Sequence, residues 1–384
     1  MTKLELTGLT SGPAQVWGAV RLVPLLRAEP ITDLRLHRRL FPGQELGVVE
    51  LDARTAYFSY VPHGFVADWT GDGSPAAAYG TQVTPPGPDL PSPSALPLRM
   101  HRRLARREGP GRLRFLPQHL ALEGYLALHF GGPVIAWAEW SQRAVRQGLS
   151  PRAEEAYLGH SVRGLADALR VFEIHPGQCG MLLYLADALA AAFVVPHPAD
   201  YRALHTSLLH DLYGELVHHY ATLMPAVTDF RPQLGGSGIT GLAELRRAAE
   251  REAEHWRTAH DRLFAADLLE TEYTARQVHR MGPFTLRRLL PSLVPKRENH
   301  LGETITHRDG RLAYLKTFRL SEKQVRRAHL LSRLAANDWH LGRTAEEFGS
   351  SEAAFGLRLE SAGFGLLLRQ DVLDHYRAVV RRGG

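Results

Sequence analysis

Between Trp339 and Phe364 the residue order leaves room for little but a short helix, a glycine stop and a second short helix. Thr344 and Ala345 place small side chains where two helices approach closely. Gly349 supplies the positive backbone dihedral that ends the first helix, and Ser350 or Ser351 caps the second. Phe355, Leu359 and Phe364 then form an apolar face, and Gly363 closes it. Upstream, Ser321–Ala335 carries Val325, Ala328, Leu331 and Leu334 at helical spacing, with Ser321 as N-cap. The spacing predicts an all-α, helix-turn-helix module over 320–384. The second helix of such a pair usually enters a DNA major groove.

The Thr344-Ala345-x-x-x-Gly349 turn, the serine cap and the Leu359-x-x-x-Gly363-Phe364 close resemble the Fis-type helix-turn-helix, a compact DNA-binding domain of bacterial regulators. The resemblance implies DNA as a partner and a regulatory role. Its contact candidates are Arg343, Ser350, Ser351 and Arg358. Lys323, Arg326 and Arg327 on the preceding helix are placed to hold phosphates without reading bases. Glu352 and Glu360 oppose this, because with Arg358 they leave the third helix at a local charge of −1, which phosphates repel. Gly356 inside that helix costs about 1 kcal/mol against Ala. A three-helix self-association module is the alternative, with a homodimer as its product.

Composition separates these readings only weakly. The net charge is +6, but only Lys3, Lys296, Lys316 and Lys323 are lysines among 46 basic residues. Arginine excess with scarce lysine follows from a GC-rich genome without selection for polyanions. No run is long and apolar enough to span a bilayer, and the first residues lack a signal layout, so a cytoplasmic location without membrane contact is expected. The single cysteine, Cys179, excludes an internal disulfide and multi-cysteine metal sites; beside Met181 and Leu182 it reads as a small buried hydrophobe.

Ahead of the module the pattern predicts an α+β domain over 1–224, a mixed sheet with flanking helices. Leu46–Leu51 and Ala56–Val61 read as a hairpin, and Pro75–Pro97 as a linker. Leu113–Leu116 and Leu122–Phe130 are strand candidates. Gly180–Tyr184 and Ala191–Val195 form a hairpin about Ala186-Asp187. Pro198 opens a helix to about Leu223, lined by Tyr201, Leu204, Leu208, Leu212 and Leu216. Residues 231–241 form a glycine-rich joint, and 240–319 reads as a helical connector, strongly so over Leu242–His279.

Several blocks in the first part carry a second resemblance: Gly12-Pro13 to Pro24-Leu25, Gly132–Trp140, Phe172–Met181, Tyr201–His205 and Leu208–Tyr213. Together they are similar to the ARG and rhodanese-phosphatase-superfamily-associated protein domain, a bacterial family named for gene neighbours that include an ADP-ribosylglycohydrolase. The resemblance covers Leu4–Leu223. It implies no activity, only a link to nucleotide-derived or ADP-ribosyl metabolites, and so a nucleotide-like small molecule as a partner.

The loop His175-Pro176-Gly177-Gln178 follows a helix and precedes a strand, a common ligand-facing position. Glu173, His175 and Gln178, with Glu139 and Trp140, form the candidate ligand pocket; the alternative is a turn whose backbone Gln178 satisfies. Asp211, Glu215 and His219, with His210 and His218 nearby, share a helix face, a pattern that also suits a solvated stripe, and no metal is assigned. No phosphate-binding fingerprint, nucleophile elbow or other catalytic constellation is present, and no cofactor is implied. The chain therefore reads as a non-enzymatic sensor joined to a DNA-binding module. An enzyme or binding protein of nucleotide-derived metabolism, with C-terminal helices for assembly, is the alternative.

Overall fold

The computed structural model describes residues 2–37, 47–52, 55–59, 66–69, 75–78, 81–84, 95–97, 113–115, 125–126, 129–131, 162–229, 234–235 and 238–383. Its strands begin with β1 (Thr10–Ser11), β2 (Gln15–Trp17) and β3 (Val20–Leu26). Two small antiparallel sheets follow. One contains β4 (Arg35–His37), β5 (Gly47–Asp52), β6 (Thr55–Ser59) and β9 (Gln82–Thr84). The other contains β7 (Val66–Trp69), β8 (Pro75–Ala78), β10 (Ala95–Pro97) and β11 (Leu113–Phe115). Next come β12 (Gln178–Leu185), β13 (Ala188–Val194), β14 (Tyr273–Met281), β15 (Phe284–Pro291), β16 (His300–His307) and β17 (Leu312–Arg319). These six join β1–β3 in one nine-stranded sheet, ordered β1-β3-β12-β13-β17-β16-β15-β14 with β2 also on β3.

The sheet was expected to be mixed, but every pairing in it is antiparallel. Strand β3 is buried almost throughout although it contains Pro24, which cannot donate to a ladder. Its outer neighbours are interrupted there. β1 pairs with Leu25 and Leu26, β2 with Val20–Leu22, so Pro24 falls in the gap. Gly12 fills that gap, and a Cβ on it would lie 2.9 Å from the Pro24 ring.

The helices are α1 (Leu165–Ala168), α2 (Pro198–Thr222), α3 (Leu242–Leu263), α4 (Ala266–Leu269), α5 (Glu322–Ala336), α6 (Leu341–Glu347), α7 (Glu352–Leu359) and α8 (Gln370–Gly383). None among the described residues is long and apolar enough to cross a membrane. The α2 helix, capped by His197, buries Tyr201, Leu204, Leu208 and Val217. Leu216, expected on that face, is 44% exposed. The end of α2 meets the β2–β3 turn, where Ala19 N–H donates to the Tyr220 carbonyl.

Three segments depart from expectation. The proposed linker 75–97 holds β8, β9 and β10, because strand pairing overrides its composition; Pro75 and Pro97 stand at strand ends, where a missing N–H is tolerated. Within Leu122–Phe130, residues 125–126 and 129–130 are helical rather than extended. The connector 240–319 is helical only to Leu269, and its remainder is four strands of the main sheet. Those strands mix apolar residues with Arg, His and Thr without a clean period, so pairing rather than local pattern places them in the sheet. The main sheet thus takes strands from both sides of the expected boundary at 224, and its last strand ends at Arg319.

The region from 322 onward is helical. Ser321 and Gln324 form a reciprocal capping box at α5. Gly349 turns the chain at φ +61°, and the Ser351 hydroxyl accepts from Ala354 N–H to start α7. Leu330, Leu331, Leu334, Ala345, Phe355, Leu359 and Phe364 share one core. Gly356, unfavourable by propensity, is required by packing: a Cβ there would lie 2.5 Å from the Tyr376 ring of α8. Gly356→Ala is therefore expected to lower stability by about 1–3 kcal/mol by overpacking, despite its better helix propensity. Urea titration of the full chain measures this, and a gain in stability would refute the close approach.

Candidate functional site

Glu173, His175 and Gln178 lie together, but their polar atoms hold the chain to itself. Gln178 is fully buried; its Oε1 accepts from His175 N–H at 3.0 Å and its Nε2 donates to the Gly180 carbonyl at 3.2 Å. Gln15 clasps the same loop, donating to the Glu173 carbonyl at 2.8 Å and accepting from Glu173 N–H at 2.6 Å. Its Nε2 also lies 3.2 Å from His175 Nε2. The Glu173 residue is exposed. This is a backbone latch at the entry to β12, and sequence reading missed Gln15. Glu139 and Trp140 lie outside the described residues. Cys179 is fully buried, and burial pushes its thiol pKa up, against a smaller lowering by Arg27. Asp211 has no described side chain. Among the described residues no three His, Cys, Asp or Glu groups could hold a metal.

In the helical module most arginines are already engaged. Arg326 pairs with Glu322, Arg333 with Glu347, Arg369 with Asp371, and Arg377 with Glu360 and Asp374. Arg358 stacks 4.8 Å over the Phe348 ring, and Arg327 sits 4.8 Å over Phe364. Lys323 and Arg343 are exposed. Ser350 ties back to the Ala345 carbonyl through both N–H and hydroxyl, while Ser351 serves as the α7 cap. Glu352, at the start of α7, accepts from the Tyr376 hydroxyl at 2.6 Å.

A charged row among the described residues of the main sheet was not expected from sequence. Four directly paired residues form one row across four strands: Arg276 of β14 faces Arg288 of β15, which faces Glu303 of β16, which faces Lys316 of β17. Direct cross-strand partners project from the same face. Glu303 and Lys316 are 1% and 2% exposed, whereas Arg276 is exposed near the sheet edge. The Glu303 carboxylate lies 3.3 Å from Arg288 Nε and 3.4 Å from Lys316 Nζ, and it accepts from Thr81 N–H at 2.6 Å. Tyr125 covers the row, donating to the Gly302 carbonyl at 3.2 Å with Arg288 over its ring at 5.5 Å. Burial, then Arg276 and Arg288, lower the His129 pKa to about 4. The sequence signal that could have pointed to the row is Lys316, one of four lysines.

The ARPP-2 family model matches residues 4–282, well over half of the chain. The chain belongs to the ARPP-2 family. The match agrees with the resemblance read in the N-terminal part and extends it by about sixty residues. It ends at the turn between β14 and β15, so three strands of the main sheet and the helical module lie beyond the ARPP-2 stretch. No curated protein matches the chain, and no solved structure matches it.

Glu303 anchors the row. Burial pushes its carboxyl pKa up, but Lys316, Arg288 and the Thr81 contacts outweigh this and leave it below the ordinary glutamate value. Its stabilising contribution is therefore complete above the unfolded pKa, near 4.3, and is lost as pH falls through the lower folded value. Glu303→Gln is expected to cost about 3–5 kcal/mol at pH 7, because it removes the carboxylate from two buried cations. Its stability should also fall less steeply than that of the wild type below pH ~4. Urea melts across pH 2–7 measure both, and a neutral effect at pH 7 would contradict the assigned role.

Proposed function

We propose that this protein docks on duplex DNA through a Fis-type helix-turn-helix in its C-terminal module, and that the α+β body senses a small ligand or partner. The observation that carries the reading is the packing of α6 and α7 about the Gly349 turn against α5, with Phe355 and Leu359 in the shared core. This arrangement suits insertion of one short helix into a groove.

The charges predict the character of that binding. Residues 320–384 hold ten Lys and Arg against eight Asp and Glu, and the ion pairs already described consume much of the positive side. Arg358 is turned onto Phe348, and Glu352 occupies the leading end of α7. Base readout by α7 is thus poorly supported, whereas phosphate contacts by Lys323, Arg343, Arg381 and Arg382 are compatible with their exposure. We expect weak, strongly salt-dependent binding with little sequence preference.

A second reading has its own observation. On the last turns of α8, Val379 and Val380 are 43% and 40% exposed, beside Arg381 and Arg382. That surface suits assembly of a homodimer.

Fluorescence anisotropy with a labelled duplex, titrated at several salt concentrations, tests the first reading. Arg343→Ala should weaken binding to all sequences by a similar factor and reduce the salt slope by about 1. Absence of binding at low salt would remove the DNA reading. A concentration-dependent dimer in light scattering, abolished by Val379→Asp with Val380→Asp, would then support assembly.

A further inference from the structure

Three basic groups crowd one aromatic ring at the end of α6. Phe348 stacks on Phe355 at 5.2 Å, and Arg358 of α7 lies 4.8 Å over the Phe348 ring. His329 of α5 meets the same ring edge-to-face at 5.9 Å. Arg333, one turn further along α5, is half-buried and pairs with Glu347. Glu347 also accepts from Asn337 Nδ2 at 2.8 Å. His329 stands on α5 between the residues buried with the sheet and those buried with α6 and α7.

Every element packed against His329 acts on its charge. Burial, then Arg333 and Arg358, push its pKa down, while Glu347 and the Leu293 carbonyl, from the loop after β15, offset part of this. The packed chain therefore resists protonation at a pH where a free imidazole, with a pKa near 6.5, begins to charge. An arrangement that moves an arginine away has a higher His329 pKa, so it gains on the packed one as pH falls below about 6.5.

Which arginine gives way follows from what holds each. Arg333 is tied by an ion pair to a carboxylate that Asn337 also fixes. Arg358 is exposed, with a ring contact and no ion pair among the described residues. Such a contact is worth about 0.5–1 kcal/mol at an exposed site. Two like charges about 4 Å apart repel by about 1 kcal/mol even in bulk water. The repulsion thus matches what holds Arg358 and falls short of what holds Arg333.

We propose that His329 is a proton switch for the arginine of α7: neutral, it leaves Arg358 on Phe348, and protonated, it releases Arg358 to solvent while Arg333 stays on Glu347. The switch stands without the DNA reading. Its use rests on that reading, since a released Arg358 adds one phosphate contact to the helix placed in the groove.

The test is an NMR titration of the full chain, isotope-labelled in arginine and histidine, over about pH 5–8, the range of histidine ionisation. Asn337 and Arg333 hold the Glu347 carboxyl below the ordinary glutamate range, so it stays ionised throughout. The Arg358 Nε–H signal, displaced by the Phe348 ring current, is expected to move to the position of a free arginine with the same midpoint as the His329 ring. In His329→Gln that signal should stay fixed across the range. Arg358→Gln, at an exposed position, should raise the His329 midpoint toward that of an ordinary histidine, whereas Arg369→Gln, which removes an arginine paired with Asp371, should leave it unchanged. In duplex titrations, mild acid should raise the affinity of the wild type more than that of His329→Gln; absence of duplex binding removes the DNA reading and leaves the switch to be decided by the signals of the protein alone. The proposal is overturned if the Arg358 signal stays fixed while His329 titrates, if it moves equally in His329→Gln, or if Arg358→Gln leaves the His329 midpoint where it was.

Discussion

Four residue pairs, Ala191–Val194 of β13 against Leu315–Phe318 of β17, hold the two parts of this chain in one sheet. They join residues separated by roughly 120 positions, and closing such a loop costs on the order of 4 kcal/mol. Burial at the joint offsets this. Phe193, Tyr314 and Phe318 are each about 1% exposed or less, and each contributes about 1.5–3 kcal/mol on leaving water. The Phe193 and Tyr314 rings meet edge-on at 5.9 Å, which fixes the register. That register sets how β14–β17 align with the β1–β3, β12 and β13 side of the sheet.

Local signals made part of the fold legible. The hairpin of β12 and β13 is announced by two apolar runs about Ala186-Asp187, and both turn residues adopt positive φ. The turn holds without glycine because Asp187 accepts from Arg21 and Ala186 N–H donates to the Ala19 carbonyl. Helices α5 and α7 are visible through their serine caps, and α6 through the Gly349 stop. By contrast β14, an edge strand with one neighbour, hides in Arg, Gln, His and Thr, and β15 interrupts its apolar residues with Arg287 and Arg288. Gly282 at φ +58° was their one plain turn signal.

The candidate sites divide along the same line. Glu173, His175 and Gln178 were found because they are close in sequence, yet closeness there serves a turn. Gln15 completes that latch from over 150 residues away, and no local pattern points to it. Arg276, Arg288, Glu303 and Lys316 are spaced 12 to 15 positions apart, and only strand register brings them into line. The Gly356 position was legible as a local cost and not as a packing requirement, because Tyr376 approaches from a later helix.

Helix α5 belongs to two cores at once. Val325 and Ala328, in its first half, are buried with the sheet, while Leu330, Leu331 and Leu334 are buried with α6 and α7. No solvated tether separates the two, so a swing of the last helices would strip apolar surface from the body. The C-terminal helices are therefore soldered to the sheet, and the two reorient together as one particle.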